Sequence, residues 1–184
     1  MTAPDRRPPW TRPGLALLSV ALFASGLALG CGDDGEAGSG EAITTRIDIR
    51  PGSCPNPLSC EDDGTLPVTI TDASGLDIEG IDPESVLLEG VAPVDWRYED
   101  VAAPYFPEDG TLDDCEEACW TRGADGIADL SLEFETQELI AALDENRGVL
   151  LDGSCMTLHL TGRMTDEAGG TVFEAWDSVR FTCD

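Results

Sequence analysis

The sequence contains no lysine and a single histidine, His159, so all of its 10 basic residues are arginine. Against them stand 37 acidic residues, for a formal net charge of −27. A chain this short of positive charge repels nucleic-acid phosphates and anionic headgroups, which excludes the basic footprint that such partners need. One histidine leaves a Ser or Cys nucleophile with one candidate base. His159 lies on the wet face of an alternating run, between Thr157 and Thr161, with no partner close in sequence. Without lysine there is no phosphate-cradling glycine loop of the kind that ends in that residue. No CxxC pair occurs either: Cys54 and Cys60 enclose five residues, Cys115 and Cys119 enclose three. With one histidine beside them, that spacing argues against structural zinc.

What is present first is a leader. Met1 to Pro13 carries Arg6, Arg7 and Arg12, and Gly14 to Gly30 carries no charge at all. The small residues Ala28 and Gly30 favour a cleaved signal over a retained span. The pattern Leu27-Ala28-Leu29-Gly30-Cys31 resembles a bacterial lipobox, with Ala28 where a branched apolar residue is usual. That resemblance implies diacylglycerol on the Cys31 thiol and cleavage that makes Cys31 the new N-terminus. Residues 31–42 follow as a tether of Gly, acids and small residues that cannot bury enough surface to order. By resemblance to lipoprotein sorting in Gram-negative cells, Gly32 beside Cys31 implies the outer membrane. Removal of residues 1–30 takes away Asp5 and three arginines, leaving 36 acidic and 7 basic groups, a formal charge of −29.

Residues 43–184 are long enough for one domain with its own core. Apolar and polar residues alternate in 47–50, 66–71, 94–99, 130–135 and 156–161, the period of half-buried strands. Gly, Pro and Asp clusters separate them. Only Thr136 to Leu143 has a helical stripe, through Leu139, Ile140 and Leu143, with Thr136 as N-cap. About eight strands with one short helix predict an all-β, immunoglobulin-like antiparallel sandwich. Trp96 and Tyr98 share an apolar strand face and are expected in the core.

Six cysteines in an exported domain predict disulfides among Cys54, Cys60, Cys115, Cys119, Cys155 and Cys183. Cys155 and Cys183 are equidistant from Gly169 in a turn-rich DEAGG, which suits a terminal hairpin, although their faces disagree without a bulge near Gly169–Gly170. The other four can pair locally, or across two loops as Cys54 with Cys119 and Cys60 with Cys115. Spacing alone leaves these open.

From residue 47 onward the chain resembles a recurring domain of bacterial and archaeal exported proteins that opens with an IDIKPGS-type strand. The matching blocks are Ile47-Asp48-Ile49-Arg50-Pro51-Gly52-Ser53, Leu66-Pro67-Val68-Thr69-Ile70, Ile81-Asp82-Pro83-Glu84-Ser85-Val86 and Asp125-Gly126-Ile127-Ala128-Asp129-Leu130. The resemblance implies a secreted β domain without enzymatic activity. It also implies Cys54–Cys119, leaving Cys60–Cys115 as an added staple. Many relatives carry a D-x-N/D-x-D-G-x-x-D-L loop similar to the calcium loops of EF-hand type. Asp125 and Asp129 keep its last two acids, and Asp100 is a candidate substitute for those replaced by Thr121 and Gly123. Calcium is therefore a candidate cofactor; the alternative is a plain Asp125-Gly126 turn entering a strand.

Tyr105, Phe106 and Trp120 fall in the long segment between Val101 and Gly126. They either pin that loop to the sheet or form a sugar- or protein-binding platform, which makes the loop the candidate binding surface. Asp72-Ala73-Ser74-Gly75 resembles an aspartic-protease D-[ST]-G, but Ala73 breaks it and no second copy exists. A carboxylate pair for glycoside hydrolysis has no specificity as a signal among so many acids. The expectation is a non-enzymatic, lipid-anchored envelope protein with a binding or structural role, held to the membrane by its lipid and facing a surface protein or polysaccharide. The alternatives are a calcium-stabilised adhesion or carbohydrate-binding module and a carbohydrate-active hydrolase.

Overall fold

The computed structural model describes residues 42–72, 75–105, 112 and 114–183. The chain divides into two units, 1–37 and 38–184. The leader, Cys31 and nearly all of the tether therefore lie outside the described residues, as does Phe106.

Among the described residues nine strands form in chain order: β1 Ile43–Thr44, β2 Arg46–Ile49, β3 Pro57–Ser59, β4 Thr65–Thr71, β5 Ile81–Leu88, β6 Asp95–Glu99, β7 Asp129–Glu135, β8 Cys155–Met164 and β9 Val172–Thr182. One helix, α1 Thr136–Arg147, interrupts them. The four strands β2-β4-β7-β6 make one antiparallel sheet. In the other, β5-β8-β9 are antiparallel, and β1 and β3 both run parallel to β9 along its outer side. Between β1 and β2 the chain changes sheets at Thr45, whose N–H donates to the Glu174 carbonyl at 2.9 Å. The predicted sandwich is the observed fold.

The alternation read from the sequence is the packing pattern. Ile47, Ile49, Leu66, Val68, Ile70, Leu130, Leu132 and Phe134 are buried from one sheet. They meet Val86, Leu88, Leu158, Leu160, Phe173, Ala175, Val179 and Phe181 from the other. Gly162 lies opposite Phe173 in the β8–β9 ladder, and a Cβ there would collide with the Phe173 ring. Glycine is needed at that position so that a buried ring can lie against backbone.

The helix departs from expectation at both ends. It begins at Thr136 itself, with Glu135 in the cap position and no side-chain cap hydrogen bond, and it runs on to Arg147. Its start is held by tertiary contacts instead: Thr136 N–H donates to the Gly64 carbonyl, and Leu139 and Leu143 are fully buried. Packing of that stripe substitutes for the missing cap. At the far end Arg147 pairs with Glu89 at 2.9 Å, and Glu89 also accepts from His159 N–H.

All six described cysteines are paired, as Cys54–Cys119, Cys60–Cys183 and Cys115–Cys155. The first is the pair that the family resemblance implied. Neither Cys60–Cys115 nor Cys155–Cys183 forms. The β8–β9 hairpin has continuous register, with Arg163 opposite Val172 and Cys155 opposite Arg180, so no bulge brings Cys155 to Cys183. Cys183 instead sits where β3 ends, beside Cys60, whose N–H donates to the Thr182 carbonyl.

Candidate functional site

The connection from β6 to β7, residues 100–128, is the largest departure from a plain sandwich, and its described parts are tied down at several points. At its base the Asp100 carboxylate accepts from Asp125 N–H at 2.9 Å and Gly126 N–H at 2.8 Å. Asp129 Oδ2 accepts from Val101 and Ala102 N–H, both at 3.0 Å, and Asp125 Oδ1 from Ile127 N–H. Further out, Cys119 is bonded to Cys54 and Cys115 to Cys155. The Leu112 carbonyl accepts from the Thr157 and Ser178 hydroxyls, and Glu116 pairs with Arg180 at 2.6 Å. The connection thus runs from the β6–β7 end to contacts with β8 and β9 of the other sheet.

The structure does bring Asp100, Asp125 and Asp129 together, at the open end of β6 and β7. Each spends its carboxylate on backbone amides of the same connection. Calcium takes six to eight oxygens. Among the described residues no group of three or more acidic, histidine or cysteine side chains is placed to hold a metal. Burial pushes the Asp129 carboxyl up from its ordinary value, opposed by the two amides, while Asp125 and Asp100 add to the rise.

Beneath the connection lies a cavity of about 20 Å³, room for one water, lined by Asp48, Asp177, Thr71, Tyr105, Trp120 and Trp176 among others. Tyr105 and Trp120 stack with ring centroids 4.7 Å apart, and the Tyr105 hydroxyl donates to the Glu117 carbonyl. These two half-buried rings stack on each other and pin the loop. Asp48 is on the strand face turned away from the core, yet it is only 7 % exposed. Its Oδ2 and the Trp120 Nε1 are both buried without a protein partner among the described residues. Burial first, then the Asp177 and Asp129 charges, push the Asp48 carboxyl up to about 8.

Asp177 is better satisfied. It accepts from Ile49 N–H at 2.8 Å, from Ser178 N–H and from the Asn56 amide, so it stitches the β2 edge to β9. Burial still raises it to about 7 against those bonds. Both carboxyls are thus raised toward neutrality, a kind of shift that also occurs at functional sites. The cavity that Asp48 and Asp177 line has room for about one water. Sequence reasoning missed both, because Asp48 alternates as a solvent-facing residue and Asp177 lies in phase with apolar Val179 and Phe181.

His159 stacks on Trp176 at 4.8 Å between ring centroids and approaches Glu174 at 3.5 Å. No Ser or Cys nucleophile is bonded to it among the described residues. Trp96 and Tyr98 are not in the core: they are 43 % and 42 % exposed. They lie on the inner face by alternation, but β6 is the outermost strand of its sheet, where the opposing sheet no longer covers it.

No known family model matches the chain, and no curated protein matches it. Among solved structures it is similar to AggA, the major subunit of aggregative adherence fimbriae type I from Escherichia coli. That likeness has 12 % identity and a TM-score of 0.24 over 79 % of this chain and 100 % of the other, too low to bear on the role of this one.

Proposed function

We propose that the chain is an exported, lipid-tethered and non-enzymatic β-sandwich module that binds a partner at the cell envelope. One observation carries this reading. The sequence has seven cysteines, and the three disulfides use six of them, which leaves Cys31 as the one remaining thiol. Six paired cysteines suit an oxidising compartment. The leftover is the residue at the end of an uncharged segment, in the position that a lipobox assigns to the lipid. The proposed resemblance to IDIKPGS-type exported domains is supported by the tight turn at Arg50-Pro51-Gly52, with positive φ at Arg50 and Gly52.

The non-enzymatic reading is supported by the small cavity beside the two most strongly raised carboxyls among the described residues, and by a histidine that faces an indole and a carboxylate. Mass spectrometry of protein extracted from its native cell tests the tether. The expected N-terminal peptide begins at an acylated Cys31, and Cys31→Ala moves the protein out of the membrane fraction. Intact residues 1–30, or an unmodified Cys31 thiol, overturn the reading.

A further inference from the structure

The free side of β6 has no strand paired with it among the described residues. Val94, Trp96 and Tyr98 follow one another on one face of this edge, 55 %, 43 % and 42 % exposed. Edge strands are ordinarily blunted by lysine, proline or a bulge, and a contiguous exposed apolar stripe marks an interaction site. The two aromatic rings meet edge to face, with centroids 5.8 Å apart and planes at 74°. Coplanar rings suit the flat face of a sugar. A pair at this angle makes a half-exposed corner, which suits a cationic side chain better.

The surrounding charge points the same way. After burial, the carboxylates of Glu79 and Asp77 are what raise the Tyr98 hydroxyl above its ordinary value, so the corner sits in a negative field. The one cation on the strand, Arg97, is bound to Glu99 at 2.8 Å and Glu133 at 3.4 Å. A second copy of this chain, equally acidic, would be repelled, whereas a basic segment would be drawn in.

We propose that β6 is a docking edge for an extended, arginine- or lysine-rich segment of a partner protein. The segment adds as a strand to the open side and places a cationic side chain in the Trp96–Tyr98 corner. This inference rests on the binding role proposed above and not on the lipid, so an unmodified Cys31 would leave it standing.

The test is binding of a synthetic alternating Arg–Thr peptide to the full-length protein in detergent, followed by calorimetry. The comparison ligands are the same peptide N-methylated at alternate amides, a Glu-for-Arg version and a neutral β-linked glucan oligosaccharide. The Arg peptide is expected to bind, and salt, N-methylation and Glu replacement each to abolish it. Trp96→Ala should weaken binding about tenfold or more, while Trp96→Phe, which keeps an aromatic face, stays within a few-fold of the parent. No peptide binding, equal binding by the N-methylated form, or equal binding by Trp96→Ala would overturn the proposal. So would glucan binding in place of the peptide. None of those outcomes touches the acylation of Cys31.

Discussion

Asp48 is the residue whose chemistry differs most from what its neighbours in sequence suggest. In the folded domain its carboxyl is raised to about 8, and that of Asp177 to about 7, by burial first. Both values lie above the ordinary range of an unfolded aspartate. The folded state therefore holds more protons than the unfolded one between about pH 4 and pH 8, and stability falls as pH rises through that window. The contribution is fully present below the unfolded value and gone above the folded one. Asp48→Asn should flatten the pH profile and stabilise the domain near pH 8 by about 1 kcal/mol or more, because the neutral amide has no charge to desolvate. Urea melts of both proteins at acidic and alkaline pH check this; an unchanged slope would mean that Asp48 is solvated.

At the scale of elements, the strands were legible because period-two alternation depends only on one face being buried, as in Leu66, Val68 and Ile70. The outer face was not legible. Thr69, Thr71, Asp129 and Ser131 are buried although polar, on the face turned away from the core. The pairing of Cys115 with Cys155 was hidden for a related reason: it depends on the path of a long connection, which no local pattern encodes. Trp96 and Tyr98 read as core because a strand's pattern cannot tell an edge from a centre. The helix cap was misread because tertiary contacts hold Thr136. Of the candidate site, the acids at 100, 125 and 129 were found and their partners were not, since backbone amides leave no mark in a sequence.

The same connection supplies a test of what the staples do. The double change Cys115→Ser with Cys155→Ser opens a closure of 40 residues and should cost about 2–5 kcal/mol. Far-ultraviolet dichroism should stay that of the sandwich, because the strands keep their ladders. Trp120 should gain solvent, seen as a red shift and easier quenching of its fluorescence. An unshifted emission with that disulfide gone would show that Cys54–Cys119 and the Tyr105–Trp120 stack hold the loop without it.

Over the whole molecule, the imbalance of charge outweighs any single ion pair. Seven arginines after residue 30 face 36 acids, so the surface repels itself at neutral pH. Added monovalent salt should raise the melting temperature, since screening relieves that repulsion at the surface while the buried core is indifferent to it. Calorimetric scans with increasing NaCl check the direction, and a falling midpoint would mean that attractive pairs such as Arg147–Glu89 outweigh the repulsion. Calcium added at matched ionic strength separates screening from ligation: a rise beyond the NaCl effect would make Asp100, Asp125 and Asp129 ligands.

The three cross-links overlap along the chain, spanning 54–119, 115–155 and 60–183. Any single peptide bond cut between Cys54 and Cys183 therefore falls inside at least one closed ring. A protease that nicks an exposed tip leaves two pieces covalently joined: one band on a non-reducing gel, two after thiol treatment. For a domain stapled in this way, a first cleavage is an injury without an amputation.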